Sequence, residues 1–95
     1  MNDSNSDLDL LIVDDDKPFL SRLSRAMEQR GYQVRSADSV KDGLAAIAER
    51  APALAVIDLR LADGSGLDVI SELKAKRPDA RGLILTGYGN IATAV

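Results

Sequence analysis

The sequence predicts an α/β fold built on a doubly wound parallel sheet. Short runs of strand-forming residues alternate along the chain with segments whose apolar residues recur at helical spacing. Alternating strands and helices form right-handed βαβ units, which place the strands parallel and the helices on both faces of the sheet. At 95 residues, with 45% hydrophobic and 28% charged residues, the chain has the composition of a single globular domain.

The first half of the chain predicts two strand–helix units. Residues 8–13 are apolar with one interruption and predict the first strand. Asp16 can cap the helix that follows, and Gly31 is suited to end it. Gln33–Ala37 predicts a short second strand, after which Ser39 can cap a second helix.

The second half predicts two more strands and one complete helix. Leu54–Asp58 is an aliphatic run that predicts a central strand of the sheet. The turn-rich residues 63–66 lead into a third helix, which stops before Pro78. Residues 83–86 predict the fourth strand, and Asn90 can cap a fourth helix of which the sequence holds only the start.

Composition also bounds the setting in which the chain acts. We expect residues 1–7 to be a flexible tail and residues 8–95 to be one domain. The longest aliphatic run, residues 10–13, is far shorter than the roughly 18 apolar residues of a membrane span. The sequence has no cysteine, which fits a reducing compartment, so we expect a cytoplasmic protein with no membrane partner. The net charge of -3 gives no reason to expect nucleic acid bound by this segment.

Polar side chains stand at the carboxyl ends of three predicted strands. Asp14 and Asp15 follow the first strand, Asp58 ends the third, and Thr86 ends the fourth. These ends share one edge of a parallel sheet, where open α/β folds place their sites. Two carboxylates about 4 Å apart repel by about 4 kcal/mol at an effective dielectric near 20, so a cation is expected beside them. Mg²⁺, which prefers oxygen ligands, is the simplest candidate.

Two further considerations bear on this edge. The sequence has no histidine, which leaves carboxylate, hydroxyl and lysine groups to carry any chemistry. The plainer alternative is that the acidic residues 14–16 only cap the first helix and that Asp58 only caps or forms a turn. Carboxylates at two strand ends with a hydroxyl at a third favour a metal site over that alternative.

The motifs at these strand ends resemble those of the receiver domains of two-component response regulators. The motifs are Leu-Ile-Val-Asp14-Asp15-Asp16, Val-Ile-Asp58-Leu-Arg-Leu with Asp63-Gly64-x-Gly66-Leu67, and Leu-Ile-Leu-Thr86-Gly. The resemblance covers nearly the whole chain from about residue 8. Residues 17–20, 77–81 and 85–95 are most similar to the RegA, PrrA and ActR group of redox-responsive regulators. The resemblance implies a flavodoxin-like receiver fold, truncated after strand 4 and the start of helix 4.

The resemblance implies a role for each residue at the edge. Asp58 is expected to accept a phosphoryl group from a cognate sensor histidine kinase. Mg²⁺ is expected to be held by Asp14, Asp15, Asp58 and the backbone carbonyl of Arg60, and the hydroxyl of Thr86 to sense the phosphoryl group. The chain is then a switch that controls transcription rather than an enzyme, with a DNA-binding region expected downstream.

One departure from the family pattern leaves alternatives open. The family places an essential lysine after a fifth strand, and the sequence ends before that strand, so we expect a truncated domain. A non-phosphorylatable interaction module is one alternative, and a metal-dependent small-molecule phosphatase or phosphotransferase is another. The uncovered edge of strand 4 further predicts a homodimer or the exchange of elements between copies.

Overall fold

The computed structural model describes residues 7–86 and the backbone of residues 91–94. Most of the predicted tail, residues 1–6, and the predicted cap Asn90 lie outside these described residues. The elements in chain order are β1 (Asp9–Val13), α1 (Lys17–Gln29), β2 (Gln33–Ala37), α2 (Val40–Glu49), β3 (Leu54–Asp58), β4 (Arg60–Leu61), β5 (Gly64–Ser65), α3 (Gly66–Lys76), β6 (Arg81–Leu85) and β7 (Ile91–Ala94). In the ranges 7–86 and 91–94, no helix has the length and apolar character needed to cross a membrane.

The main sheet confirms the predicted parallel α/β architecture. Its strand order is β2-β1-β3-β6-β7, and β2, β1, β3 and β6 run parallel. In this register Val13 pairs with Ile57, and Asp58 pairs with Leu85. The carboxyl ends of β1, β3 and β6 therefore meet at one edge of the sheet.

The chain after β6 differs from the prediction. Ile91–Ala94 forms β7, which pairs antiparallel with β6, whereas the sequence predicts the start of a fourth helix there. An open strand edge leaves backbone donors and acceptors without partners, and pairing with the next segment of the chain satisfies them. The edge of β6 is thus covered within the chain, which corrects the expectation of an open edge there. The expected homodimer or element exchange stays a prediction.

Local signals set the ends of the helices as expected. The Asp16 side chain accepts a hydrogen bond from the backbone nitrogen of Phe19 at 3.1 Å and caps α1. The Ser39 hydroxyl accepts from the backbone nitrogen of Asp42 at 3.0 Å and caps α2. Gly31, with φ of 96°, takes the left-handed conformation that ends a helix.

Two layers of apolar packing fix the strands. Alternation along each strand sends Leu11 and Ile57 to the face covered by α2 and α3, and Ile12 to the face covered by α1. Each of these three side chains is fully buried. Burying one such side chain contributes about 1.5–3 kcal/mol, so the positions at which β1 and β3 end are set by the core.

The interruption in the first apolar run is a buried carboxylate at the opposite, amino edge of the sheet. Asp9 is 2% exposed and accepts hydrogen bonds from Arg35 at 3.3 Å and from Arg50 Nε at 2.8 Å. Arg35 also donates to the carbonyl oxygen of Ala46 at 2.9 Å. A buried charge requires such partners, and here they join β1, β2 and the end of α2.

Candidate functional site

Three of the predicted site residues come together where β1 and β3 end. Asp14 follows the last residue of β1, and Asp58 is the last residue of the neighbouring strand β3. One carboxylate oxygen from each of Asp14, Asp15 and Asp58 lies within 4.8 Å of the others. The structure therefore gathers carboxylates from two strand ends into one cluster, as the strand pattern predicts.

The three carboxylates differ in their surroundings. Asp14 is buried, Asp58 is half-buried and Asp15 is exposed. Burial raises the pKa of Asp14 above its usual value; a hydrogen bond from the Asp16 backbone nitrogen, 2.9 Å long, opposes the rise, and the charge of Asp58 adds to it. A cation nearby would therefore lower the free-energy cost of ionising Asp14.

No basic side chain neutralises the cluster within the described ranges, since none of the ion pairs formed there involves Asp14, Asp15 or Asp58. Asp16 differs from its two neighbours because its carboxylate caps α1. The capping alternative therefore accounts for Asp16 and leaves the clustering of the other carboxylates unexplained.

The residues after β3 hold the Asp58 side chain and bring a backbone segment beside it. The backbone nitrogen of Arg60 donates to Asp58 Oδ1 at 3.3 Å. Arg60 lies in β4, which pairs antiparallel with β5 through Arg60–Ser65 and Leu61–Gly64. The sequence predicts only a turn in this region, because strands of two residues are too short to show a periodic pattern.

Thr86 lies at the same edge, directly after β6 and partly buried. The register that pairs Asp58 with Leu85 puts Thr86 one residue beyond that pair. The backbone nitrogen of Leu59 also donates to the carbonyl oxygen of Leu85 at 2.9 Å, which ties the end of β3 to the end of β6. The sheet thus brings a hydroxyl residue to the edge that carries the carboxylates.

Asp63 makes a contact that the sequence does not predict. Its two carboxylate oxygens accept hydrogen bonds from the backbone nitrogens of Val40, at 2.8 Å, and Lys41, at 3.0 Å. These partners are more than twenty positions away along the chain, so no local pattern announces them. The one feature of the sequence that could have indicated this contact is an acidic residue in a turn at the same sheet edge as a helix N-terminus.

The donor set suits a hard divalent cation. Carboxylate oxygens are the ligands that Mg²⁺ prefers, and Mg²⁺ keeps several waters when few protein ligands are offered. Asp14 and Asp58 supply buried and half-buried oxygens, and the exposed Asp15 leaves one side open to water. The residues present therefore fit Mg²⁺, with no need for nitrogen or sulfur ligands.

Comparison with known proteins gives consistent matches over most of the chain. The sequence profile described as "response regulator receiver domain" matches residues 10–95. The photosynthetic apparatus regulatory protein RegA of Rhodovulum sulfidophilum is 62% identical over 89 residues, covering 94% of this chain and 49% of RegA. The acid tolerance regulatory protein ActR of Rhizobium meliloti (strain 1021) is 62% identical over 89 residues, covering 94% of this chain and 46% of ActR. The chain spans about half the length of these relatives.

Solved structures give the same fold. A response regulator protein from Burkholderia pseudomallei, described with a phosphorylated aspartic acid, calcium ion and citrate, matches with a TM-score of 0.78 and 39% identity over 84% of this chain and 47% of that one. The response regulator TrrA from Thermotoga maritima, in complex with Mg²⁺-BeF, matches with a TM-score of 0.76 and 28% identity over 84% of this chain and 70% of that one.

Proposed function

Because this chain belongs to the response regulator receiver domain family, we propose that it is a phosphorylation-controlled switch whose phosphoacceptor is Asp58. The matches to RegA and ActR confirm the resemblance that the strand-end motifs indicate, and both relatives are regulatory proteins by name. The proposed phosphoryl donor is a phosphohistidine on a cognate sensor histidine kinase. Residues 8–95 form the receiver part in this proposal, and residues 1–7 a tail.

One observation carries the proposal: carboxylate oxygens of Asp14, Asp15 and Asp58 lie within 4.8 Å of one another at the carboxyl edge of the sheet. Such a cluster is stable at neutral pH only with a cation or a proton beside it. The Burkholderia protein is described with a calcium ion and a phosphorylated aspartic acid, and TrrA with Mg²⁺. By extension, Asp15, Asp58 and the Arg60 carbonyl would hold Mg²⁺ here, and Asp14 would bind its waters.

The proposed transfer uses Asp58 as the nucleophile. One of its carboxylate oxygens attacks the phosphorus of the phosphohistidine; an O–P bond forms, the P–N bond breaks, and the imidazole nitrogen keeps the electron pair and takes up a proton. Bound Mg²⁺ supplies neutralisation of the negative charge on the phosphoryl and carboxylate oxygens. The hydrogen bond from Arg60 to Asp58 Oδ1 helps to orient the attacking group. The product is an acyl phosphate, whose hydrolysis resets the switch.

Thr86 is the proposed reporter of phosphorylation. It lies one residue beyond the partner of Asp58 in the sheet, so its hydroxyl needs only a local movement to donate to a phosphoryl oxygen. When the Thr86 hydroxyl binds the new phosphoryl group, the conformation of the backbone that carries Thr86 changes. A local change of this kind can shift a conformational equilibrium elsewhere in the protein. We further propose that the switch controls transcription in the cytoplasm. The DNA-binding region would lie in the part of the protein that corresponds to the remaining half of its relatives.

A titration tests the proposal. Mg²⁺ is added first and beryllofluoride second, while backbone amide shifts are recorded by NMR. The proposal predicts a metal response centred on Asp15 and Asp58, followed by a beryllofluoride response that includes Thr86 and is absent in Asp58→Asn. The absence of any response to Mg²⁺ would overturn the site.

The same samples distinguish the alternatives. Steady hydrolysis of a small phosphoester, abolished in Asp58→Asn, would identify a phosphatase or phosphotransferase. Binding of Mg²⁺ without any response to beryllofluoride would identify an interaction module that takes no phosphoryl group. The proposed switch requires both responses and no steady turnover of small phosphoesters.

A further inference from the structure

The carboxylate of Asp63 connects the turn between β4 and β5 to the N-terminus of α2. Oδ1 accepts from the backbone nitrogen of Val40 at 2.8 Å, and Oδ2 accepts from that of Lys41 at 3.0 Å. Ser39 satisfies the next donor, the backbone nitrogen of Asp42, with its own hydroxyl. The first backbone N–H donors of α2 thus bind two side chains, the adjacent Ser39 and the distant Asp63. The negative charge of Asp63 is also favoured at the positive end of the helix dipole.

The other end of this connection is the β4–β5 hairpin. Asp63 lies in the turn between the paired residues Leu61 and Gly64. The base of the hairpin is held by the hydrogen bond from the Gly66 nitrogen to the Leu59 carbonyl oxygen, 2.8 Å long. Leu61, 8% exposed, packs in the core. The Asp63 carboxylate ties the tip of the hairpin to α2, so the hairpin is fixed at both ends.

Arg60 lies in this hairpin, and its carbonyl is the one backbone group assigned to the metal site. We propose that Asp63 is a positioning residue for that site: by tying the hairpin tip to α2 it orients the Arg60 carbonyl toward the carboxylates. This inference rests on the proposed function, since it concerns the same Mg²⁺ site. Groups that orient metal ligands without touching the metal commonly change metal affinity by about 10–100-fold when removed.

Ser39→Ala provides a matched control for Asp63→Ala. Both substitutions remove caps from the N-terminus of α2, but only Asp63 connects that terminus to the hairpin. If Asp63 and Ser39 served only to cap α2, both variants would lose thermal stability and would bind Mg²⁺ with the same affinity. Asp63→Asn, which keeps one carbonyl oxygen as an acceptor, is a second variant that retains part of the connection.

In the test, each purified chain is titrated with magnesium chloride. Calorimetry measures the Mg²⁺ affinity, and NMR measures the chemical shift of the Arg60 carbonyl carbon. Positioning by Asp63 predicts Mg²⁺ binding about tenfold weaker in Asp63→Ala, unchanged in Ser39→Ala and intermediate in Asp63→Asn. It also predicts that the Mg²⁺-induced shift at Arg60 decreases in Asp63→Ala. Equal Mg²⁺ affinity in the wild-type chain and both Asp63 variants would overturn the inference and leave the proposed function standing. A wild-type chain that binds no Mg²⁺ would instead overturn the proposed function, and the inference with it.

Discussion

Gly66 lies directly against the backbone carbonyl of Asp58. A Cβ atom at Gly66 would collide with the Asp58 carbonyl oxygen and stand 2.8 Å from Ile57 Cγ2. We expect Gly66→Ala to move the first residue of α3 away from the end of β3 and to lower the free energy of unfolding by about 2 kcal/mol, the order of overpacking. Denaturant unfolding measures the loss, and Mg²⁺ binding should weaken with it.

Gly43→Ala is the control for this substitution. A Cβ at Gly43 would meet side chains, Val13 Cγ2 at 3.3 Å and Val69 Cγ1 at 3.4 Å, rather than backbone. Alanine is also better than glycine inside a helix by about 1 kcal/mol, which offsets the tighter packing. We expect a change in unfolding free energy below about 1 kcal/mol. Equal losses in the two variants would contradict a special role for the contact between Gly66 and Asp58.

Asp14→Asn should separate stability from metal binding. Burial raises the pKa of Asp14, and the charges of Asp58 and Asp15 contribute to the rise. Asparagine keeps the oxygen that accepts from the Asp16 nitrogen but removes one negative charge. We expect the metal-free variant to be more stable at neutral pH by roughly 1–4 kcal/mol, the repulsion between two charges about 4 Å apart in bulk water and near a protein surface, respectively, while Mg²⁺ binds more weakly.

Asp16→Asn serves as the comparison, because Asp16 caps α1 and asparagine caps a helix about as well as aspartate. Its Mg²⁺ affinity should match that of the wild-type chain. If Asp14→Asn bound Mg²⁺ as tightly as Asp16→Asn in calorimetry, Asp14 would have no part in the metal site.

Features that depend on neighbouring residues were open to prediction from the sequence. Asp16 and Ser39 cap helices that begin one residue later, and Leu54–Asp58 is both a run of strand-forming residues and the observed β3. The shared edge follows from the same reasoning, because parallel strands end together once their order is known. The clustering of Asp14 with Asp58 was therefore predictable from the sequence on the condition that β1 and β3 are neighbours, which the structure shows.

Features that depend on distant residues were not open to such prediction. Asp63 and Val40 are 23 positions apart, and Asp9 and Arg50 are 41 positions apart, so nothing local links either pair. The segment Ile91–Ala94 is too short for its residues to decide between helix and strand. Pairing with β6 decides its conformation, and that is a property of the sheet.

The buried carboxylate Asp9 should matter for stability and not for metal binding. Asp9→Ala removes the shared partner of Arg35 and Arg50 at the amino edge of the sheet, which we expect to cost about 3 kcal/mol of unfolding free energy. Arg50→Ala should cost much less than Asp9→Ala, because the Arg50 side chain is 62% exposed. Both variants, where folded, should bind Mg²⁺ like the wild-type chain in calorimetry. A folded Asp9→Ala chain with weakened Mg²⁺ binding would contradict the independence of the two edges.

The Asp63 connection should be lost in acid. Hydrogen bonds from the backbone nitrogens of Val40 and Lys41 hold the pKa of Asp63 below its ordinary value of 3.8. The folded chain therefore binds this proton more weakly than the unfolded chain does. The stability contributed by ionised Asp63 is present above about pH 4 and is lost as the pH falls through the folded-state pKa. The stability difference between the wild-type chain and Asp63→Asn should shrink from about pH 6 to about pH 3 in denaturant unfolding. If the stability difference between the wild-type chain and Asp63→Asn grew as the pH fell, the pKa of Asp63 would be raised by folding, which would contradict this prediction.

The central claim, that Asp58 is a phosphoacceptor, is tested most directly by intact mass after incubation with acetyl phosphate and Mg²⁺. We predict one added phosphoryl group on the wild-type chain, removed by hydroxylamine as expected for an acyl phosphate, and no addition to Asp58→Asn. A wild-type chain that binds Mg²⁺ but keeps its mass unchanged, or a phosphoryl group that still appears on Asp58→Asn, would contradict it.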